Sequence, residues 1–359
     1  MPDVADWTLA SLESTAEATL TREAWAYVQT GAAEEDALRA NRVAFRRRTL
    51  RPRVLADITS IDTTTSLLGE RVPAPFYVSP VARHGVFHPD GEVATARAAA
   101  ADGVLGVYAT LSTRSLEEIA RASANASRWF QLYLQPEFDQ SRRLVERAEA
   151  AGYSALVLSV DLPVLGPRDR WVARGGGAIE SPLGNGPELR APARRPDGPL
   201  GRYTLPASAA ATWTILDDLQ SITRLPVVVK GILTGDDARR AINHGARAIV
   251  VSNHGGRQLN TAEAALEALP EVVRAVGSDT EVYFDGGVRR GGDIVIALAL
   301  GARAVGLGRP VMWALGVGGE AGVRRLFELL GRELATEMAL LGRRRVDEID
   351  RTILGPLRW

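Results

Sequence analysis

The chain of 359 residues contains no cysteine. Disulfide bonds, thiolate metal ligands and cysteine nucleophiles are therefore excluded, and the absence is consistent with a cytoplasmic protein. The sequence also lacks an excess of either charge, because 43 basic side chains balance 43 acidic ones. A balanced charge gives no general attraction to nucleic acid or to an anionic membrane, so any cationic site has to be local.

Long hydrophobic runs are missing as well. No stretch approaches the ~18 consecutive apolar residues of a membrane span, so we expect no contact with a bilayer. Residues 1–20 carry acidic side chains and lack the basic start of a signal peptide. Histidine is also scarce, and no two histidines have the helical spacing of a ligand pair, which disfavours a metal site. The four are His84, His88, His244 and His254.

The pattern that is present is a series of short apolar strands, most of them followed by a helical segment. The spacing of the first four strands suits βα units. The eight predicted strands cover residues 76–80, 104–110, 129–133, 155–160, 227–230, 248–252, 282–285 and 304–308. They predict an α/β fold, a closed (β/α)8 TIM barrel. An open doubly wound sheet is the alternative, but the first strand is not followed by the glycine-rich fingerprint of that fold.

The remaining segments frame this barrel within one predicted domain, residues 1–359. Residues 1–75 form an N-terminal extension with helices around Ser11–Glu17 and Arg22–Gln29, and residues 343–359 form a C-terminal tail. The barrel itself covers residues 76–342 and is interrupted by a loop insertion at 174–212 that is rich in glycine and proline. The insertion lies between strands 4 and 5, on the face where strands end. It is either a lid over an active site or a surface excursion without a catalytic role.

Polar and ionisable side chains end nearly every predicted strand. In a parallel barrel the C-terminal ends of the strands share one face, and catalytic groups stand there. This concentration predicts an active site on that face. The residues concerned are Gln131, Tyr133, Ser159, Asp161, Lys230, Ser252, His254, Arg257, Asp285, Arg289 and Arg309.

The last two strands carry the elements of a phosphate site. Gly286 and Gly287 allow the backbone to approach a ligand, and the following helix offers free N–H groups. Arg289 and Arg309 add guanidinium donors that suit phosphate oxygens. Phosphate sites after strands 7 and 8 recur in this fold.

Two single residues suggest chemistry. Lys230 ends a strand of three valines, where it can form a Schiff base, pair with a carboxylate or place positive charge beside a cofactor. His254 stands at a strand end, beside two glycines and Arg257. A neutral imidazole there can act as a general base, and the guanidinium can bind a substrate carboxylate.

Three motifs resemble a known family: Ser252-Asn-His-Gly-Gly-Arg-Gln-Leu259, Asp285-Gly-Gly-Val-Arg289 and Gly308-Arg-Pro310. Together they are similar to the FMN-dependent 2-hydroxy acid oxidases and dehydrogenases, the family of glycolate oxidase, lactate oxidase, mandelate dehydrogenase and hydroxymandelate oxidase. The resemblance extends from Tyr27 to about Gly342. It implies FMN as cofactor, a small 2-hydroxy acid as substrate and, by analogy, a homotetramer.

The resemblance also implies a role for each matching position. His254 would be the base that accepts the hydroxyl proton, Asp161 would stabilise the imidazolium, and Tyr133 would contact the substrate oxygen. The substrate carboxylate would be bound by Tyr27, Arg168 and Arg257. The cofactor would be held by Pro80, Val81, Ala82, Ala109, Gln131, Ser159, Lys230, Ser252, Asp285, Gly286, Gly287, Arg289, Gly308 and Arg309.

Several positions depart from the family pattern. Ala109 replaces a serine that usually touches the flavin, so that contact would need the backbone or Thr110. Leu111 replaces a large aromatic residue of glycolate oxidase, and Arg83 is unusual after Ala82. These departures favour a substrate larger than glycolate, such as an aryl or long-chain 2-hydroxy acid. Arg83 would meet a second polar group of that substrate.

Other functions remain open from the sequence. Reduced flavin is reoxidised by O2, giving H2O2, or by another acceptor. The first alternative is a different flavin enzyme, either a lactate monooxygenase type of oxidative decarboxylase or an isomerase. The second is a protein that binds flavin without catalysis. The third is an aldolase that uses Lys230 as a Schiff base.

Overall fold

The computed structural model describes residues 7–174, 181–186, 189 and 209–358. Most of the chain alternates between strand and helix. In chain order, the described helices α1 to α12 are Leu12–Thr19, Arg22–Gln29, Asp36–Arg46, Glu92–Ala101, Leu116–Ala122, Phe138–Ala150, Asp169–Ala173, Ile215–Ile222, Gly235–Asn243, Ala265–Val276, Gly291–Ala299 and Arg309–Leu340. Short 3-10 helices cover His84–Val86, Val346–Glu348 and Arg351–Ile353.

Eight parallel strands close into a barrel, as the strand pattern predicts. In the order β3 to β10 they are Phe76–Val78, Leu105–Ala109, Arg128–Leu132, Ala155–Ser159, Val227–Ile232, Ala248–Val251, Glu281–Asp285 and Ala304–Leu307. Each strand pairs with its neighbour in sequence, and β10 closes the barrel on β3. The alternative prediction of an open doubly wound sheet is therefore wrong. Because all strands are parallel, their C-terminal ends meet on one face.

The barrel strands are buried on both sides, which explains their continuous apolar character. One apolar cluster fills the interior, where the ring of Tyr283 packs against Tyr77 and Trp129 with ring centroids 6.0 Å and 5.5 Å apart. A second, larger cluster lies between the strands and the surrounding helices. The interior is a packed core rather than a pore.

A short antiparallel hairpin, β1 (Thr65–Leu67) and β2 (Glu70–Val72), is a feature that the sequence analysis missed. Its buried residues Leu67 and Val72 belong to the interior cluster of the barrel. Glu281, the first residue of β9, accepts a hydrogen bond from the backbone N–H of Leu68 at 3.1 Å. The hairpin therefore covers the N-terminal end of the barrel and leaves the opposite end for the site.

The N-terminal extension contains the two predicted helices, α1 and α2, and a further helix, α3, that was not predicted. Helix α3 is held to the loop after β8 by a reciprocal amide pair. Asn41 Nδ2 donates to Asn253 Oδ1 at 2.8 Å, and Asn253 Nδ2 donates to Asn41 Oδ1 at 2.9 Å. Because β8 ends at Val251, two residues before Asn253, this pair places the extension over the C-terminal face of the barrel.

Most of the predicted insertion, residues 174–212, lies outside the described residues. The short described stretch 181–186 packs on the loop after β4. Asn185 is fully buried, accepts a hydrogen bond from Leu116 N at 3.0 Å and donates to Thr110 O at 3.0 Å. This part of the insertion is therefore anchored to the barrel beside the C-terminal face.

The final long helix is divided in two. Helix α12 runs from Arg309 to Leu340, but Gly318 and Gly319 have non-helical backbone angles, and its second part begins at Glu320. Among the described residues, no helix combines the length and the apolar character needed to cross a bilayer.

Candidate active site

A cavity of about 380 Å³ lies among the C-terminal ends of the barrel strands. Its wall unites most of the residues that the sequence analysis selected, although they come from all parts of the chain. These are Tyr27, Pro80, Val81, Ala82, Tyr133, Arg168, Lys230, His254, Arg257, Asp285, Gly286, Gly287, Arg289, Gly308 and Arg309. The other selected residues do not line it: Ser159, Asp161 and Ser252 adjoin residues that do, whereas Ala109 and Gln131 pair with each other on β4 and β5.

The imidazole of His254 is held between an acid and a phenol. Its Nδ1 lies 2.9 Å from Asp161 Oδ1, and its Nε2 lies 3.4 Å from Tyr133 Oη. The backbone of His254 has φ 56°, which is uncommon for a non-glycine residue, and its N–H donates to Ser252 Oγ at 3.1 Å. Because a carboxylate accepts the proton on Nδ1, Nε2 is left as the basic atom facing the cavity.

Asp161 is an ionised carboxylate in a buried position. Burial raises its pKa, but His254 and Lys230 outweigh that effect and hold the pKa below its ordinary value. Gly231, with φ 112°, leaves the space that Asp161 occupies, since a Cβ there would lie 2.6 Å from the Asp161 side chain. Gln258 Nε2 donates to Asp161 O at 3.0 Å. The sequence analysis assigned no role to Gly231 or Gln258, although Gln258 belongs to the quoted motif.

Lys230 belongs to a buried charged network. Its Nζ lies 3.3 Å from Asp285 Oδ2 and donates to Ser252 Oγ at 2.9 Å, while Ser252 Oγ donates to Asp285 Oδ1 at 2.6 Å. Burial lowers the pKa of Lys230, yet Asp285 and Asp161 raise it above its ordinary value overall. The ammonium is therefore stably charged. A Schiff base needs the neutral amine, so this arrangement favours a fixed positive charge instead.

Several buried side-chain polar atoms lack a hydrogen-bond partner among the described residues. Those near the polar ends of β5 and β6 are Nε2 of Gln131, Oγ of Ser159 and Oδ2 of Asp161. Ser159 is paired in register with Lys230 on the next strand. A buried polar atom without a partner is costly, so a row of donors from Gln131 to Lys230 fits a ligand with a polar edge.

A cluster of cations lies on the other side of the cavity. Burial, together with Arg257, lowers the pKa of Arg168 to about 9, and burial lowers the pKa of Arg257. Arg257 donates to the carbonyl oxygens of Tyr27 at 2.8 Å and of Thr30 at 2.7 Å, and it lies over the Tyr27 ring. Arg168 donates to the carbonyl oxygen of Arg257. These guanidinium groups contact carbonyl dipoles rather than carboxylates, so the cluster suits an anionic ligand.

The two arginines predicted to bind phosphate, Arg289 and Arg309, contact different parts of the protein. Arg289 lies over the Trp313 ring at 4.5 Å, and burial lowers its pKa to about 10. Arg309 instead donates to the carbonyl oxygens of Val28 at 2.8 Å, Gly255 at 2.9 Å and Thr30 at 3.2 Å. Arg309 therefore joins the barrel to the N-terminal extension, close to the cluster that contains Arg257.

Gly287 and Gly308, both assigned to the cofactor from the sequence, differ in what surrounds them. At Gly287, with φ 92°, a Cβ would lie 2.7 Å from the carbonyl oxygen of Asn41, so helix α3 requires this glycine. At Gly308 the nearest atom to a Cβ would be Val81 Cγ2 at 3.8 Å, an ordinary van der Waals contact, so the protein does not crowd this position. The free approach to a ligand is therefore at Gly308, whereas Gly287 brings α3 close to the site.

Ala109 replaces the serine that usually touches the flavin in this family pattern, so no hydroxyl is present at that position. Its carbonyl oxygen already accepts hydrogen bonds from Ser112 N and Oγ, the latter at 2.6 Å. The hydroxyl of Thr110 donates to Gln131 O at 2.6 Å and accepts from Tyr133 N at 2.9 Å. Both groups that the sequence analysis considered as substitutes are thus engaged with the protein.

The rest of the wall is largely apolar and was mostly missed by the sequence analysis. It includes Val28, Leu162, Leu165 and Trp171, together with the predicted Leu111. Arg83 lines the same cavity and donates to Ser181 O at 2.8 Å. The described residues contain no group of His, Cys, Asp or Glu that could hold a metal ion.

The other histidines have packing or surface positions. His84 is buried, lies 3.0 Å from Thr95 Oγ1, and its pKa is lowered by burial. His88 Nδ1 accepts from Asp90 N at 3.2 Å in a turn. His244 ends α9 and lies 3.0 Å from Asp217 on the surface. His254 is thus the one histidine on the cavity wall within the described residues.

The C-terminal face of the barrel holds an imidazole–carboxylate pair, a buried lysine and several guanidinium groups without a carboxylate partner among the described residues. These groups define an enzyme for anionic substrates. Comparison with known proteins identifies the family of this enzyme. Residues 16–356 match the model of the FMN-dependent dehydrogenase family. The chain belongs to this family and is an FMN-dependent 2-hydroxy acid oxidase, an oxidoreductase.

The similarity to individual members covers nearly the whole chain. An L-lactate oxidase of Nostoc sp. is 48% identical over 353 residues, 95% of this chain and 96% of the relative. The 2-hydroxyacid oxidase 2 of Homo sapiens is 42% identical over 331 residues, 91% and 92% of the two chains. A crystal structure of a mandelate oxidase is 43% identical, covers 97% of each chain and superposes with a TM-score of 0.87. The family and the reaction class are therefore shown.

Proposed function

We propose that the chain oxidises an (S)-2-hydroxy acid to the 2-keto acid, with His254 as the base. The observation that carries this proposal is the position of His254 Nε2. It faces the cavity beside Tyr133 Oη, while Asp161 Oδ1 lies 2.9 Å from Nδ1. Nε2 takes the hydroxyl proton, and the negative charge of Asp161 stabilises the imidazolium that forms.

Arg168 and Arg257 bind the substrate carboxylate. Arg257 uses Nη1 on the carbonyl oxygens of Tyr27 and Thr30, so Nη2 remains for an anion. Tyr27 lies under the Arg257 guanidinium and also lines the cavity. Burial raises the pKa of Tyr133 well above its ordinary value, which keeps its hydroxyl protonated as a donor to the substrate oxygen. The carboxylate and the oxygen are thereby fixed on either side of Cα.

When bound, FMN would supply the acceptor for the hydride equivalent that leaves Cα. Gln131, Ser159 and Lys230 would hold its polar edge, because they present donors in a row and two of these have no other partner among the described residues. Lys230 would add a permanent positive charge beside that edge. The phosphate end is assigned to Arg289, the free approach at Gly308 and the neighbouring loop after β9.

We further propose that the preferred substrate is larger than glycolate. The wall formed by Leu111, Leu162, Leu165 and Trp171 offers apolar surface that a two-carbon acid does not cover. The similar proteins are oxidases of lactate, of mandelate and of 2-hydroxy acids in general. Reoxidation by O2 to give H2O2 is the proposed second half of the reaction.

The test is an anaerobic bleaching screen of the FMN-loaded enzyme. The panel contains glycolate, lactate, mandelate and 2-hydroxyoctanoate, each as both enantiomers where these exist. Bleaching by (S) enantiomers, and fastest by a larger acid, is expected; a clear preference for glycolate contradicts the size proposal. His254→Ala should retain FMN and lose about 10²–10⁴-fold in reduction rate. Equal bleaching rates in variant and parent contradict the base assignment.

Product analysis in air separates the outcomes of reoxidation. A 2-keto acid with one equivalent of H2O2 supports the oxidase. A shortened acid with carbon dioxide indicates a monooxygenase type of oxidative decarboxylase. Rapid reduction without peroxide, restored by an artificial electron acceptor, indicates a dehydrogenase that uses another partner.

A further inference from the structure

The short helix α7, Asp169–Ala173, carries part of the substrate site but has no core of its own. None of its residues is buried. Arg168, the residue directly before it, belongs to the proposed carboxylate site, and Trp171 lines the cavity. Five residues without buried side chains do not fix a helix by apolar packing. Other contacts must hold α7 in place.

Arg170 supplies the polar part of those contacts. Its Nε donates to Glu35 Oε1 at 2.8 Å, and its Nη2 donates to the carbonyl oxygen of Gln29 at 2.9 Å. Glu35 Oε1 also accepts a hydrogen bond from Gly31 N at 2.8 Å. One ion pair thus joins α7 to the C-terminal end of α2 and to the turn that follows it. The Glu35 side chain is only 12% exposed, so water competes weakly for it.

The segment reached by this pair is the one that carries the rest of the carboxylate site. Tyr27 lies on α2, and its ring lies 6.5 Å from that of Trp171 in an edge-on arrangement. The carbonyl oxygens of Tyr27 and Thr30 hold the guanidinium of Arg257. The Glu35–Arg170 pair therefore connects the segments that provide the three proposed carboxylate ligands.

We propose that Glu35 and Arg170 are positioning residues that hold the carboxylate site of this enzyme in its binding geometry. Neither residue lines the cavity. The inference rests on the proposed function in one respect only, the assignment of Arg168, Arg257 and Tyr27 to the substrate carboxylate. Without the pair, α7 loses its polar attachment, Arg168 and Trp171 shift relative to Tyr27, and carboxylates bind less tightly. Proton removal by His254 is unaffected once substrate is bound.

The test compares Arg170→Met with Arg174→Met, a matched substitution at the residue that ends the same helix. The FMN-loaded proteins are titrated with benzoate and oxalate, followed by the change in flavin absorbance, and are then reduced anaerobically with the best substrate. For Arg170→Met we expect Kd for the carboxylates and for substrate to rise about 10- to 100-fold, because small misplacements of binding groups have effects of this size. The limiting reduction rate should change less than about 3-fold, and the Arg174→Met protein should match the parent.

Two further variants separate positioning from general damage. Arg170→Lys keeps the charge and should restore much of the affinity lost in Arg170→Met. Glu35→Gln combined with Arg170→Met should weaken binding no more than Arg170→Met alone, because both act through one contact. The proposal is overturned if carboxylate affinity is unchanged in Arg170→Met, if Arg174→Met weakens it equally, or if the limiting reduction rate falls while affinity holds. A parent that binds carboxylates yet is bleached by no 2-hydroxy acid refutes the proposed function and leaves the binding comparison valid.

Discussion

Replacing Asp161 by asparagine tests the proposed base most directly. The amide has nearly the same shape as the carboxylate and can still accept a hydrogen bond from His254 Nδ1, so the geometry at 2.9 Å should persist. What disappears is the negative charge opposite the imidazolium that forms in the reaction. A positive charge would then develop in a site that already contains Lys230, Arg168 and Arg257.

The size of the effect follows from the hydrogen bond that is weakened. A hydrogen bond to a charged group contributes about 1.5–3 kcal/mol, and 1.36 kcal/mol corresponds to a tenfold change. Only the difference between the charged and neutral imidazole counts in the transition state, so we expect reduction to slow by about 10- to 150-fold. Since the pKa of Asp161 lies below its ordinary value, the parent carboxylate stays charged at any pH from 6 to 9. The Asp161 carboxylate therefore contributes no titration of its own to the parental rate over that range.

The assay is anaerobic stopped-flow reduction at saturating substrate, with FMN content measured for each protein. The chain offers a matched control in Asp217, whose carboxylate lies 3.0 Å from His244 Nδ1 on the exposed surface. Asp217→Asn should reduce at the parental rate. A loss of less than about 3-fold in Asp161→Asn, with FMN content intact, would refute the reasoning, as would an equal loss in Asp217→Asn.

Three other changes test the surroundings of the site. Lys230→Met should lower the melting temperature of the apoprotein, because it leaves Asp285 buried without its cation, a loss of about 3–5 kcal/mol; an unchanged melting temperature contradicts the buried pair. Arg83→Met should lower kcat/KM for 2-hydroxyglutarate more than for 2-hydroxyhexanoate, because Arg83 faces the cavity; equal losses contradict a role with a second polar group. Asn185→Ala should cost about 1–3 kcal/mol in urea unfolding, since Leu116 N and Thr110 O lose their partner; unchanged unfolding contradicts this anchor.

The barrel could be predicted because its strands have a clear sequence signal. Each is a short apolar run followed by a helical period, as in Val227–Ile232 and the helix after it. The hairpin at Thr65–Leu67 and Glu70–Val72 has no such signal, since three residues are too few for an alternation to show. The first part of α12, from Arg309, has a weak helical signal because Gly316, Gly318 and Gly319 lower helix propensity, and the last two interrupt the helix.

The site was predictable where function places ionisable residues at strand ends. His254, Asp161 and Lys230 could be selected in this way, because a parallel barrel brings those ends together. Supporting residues have no comparable signal. Gly231 has φ 112° and Asp161 fills the space beside it, so glycine is required on both counts. Asn41 matters because it pairs with Asn253 across 212 residues. Such requirements arise from the packed structure and are invisible to spacing or residue type.

The excess positive charge of the buried arginines lowers the stability of the empty protein and favours the binding of an anionic substrate. Arg257 is buried close enough to lower the pKa of Arg168, and both lower the pKa of Arg309. The described hydrogen bonds of these three arginines nevertheless go to carbonyl oxygens or an amide oxygen. Carbonyl dipoles offset only part of the cost of burying three like charges. The folded protein therefore maintains an arrangement that is unfavourable when empty and favourable once an anion arrives. Because the guanidinium groups are already desolvated and oriented, the substrate carboxylate meets them without further reorganisation, and its binding free energy can be used to align Cα for oxidation.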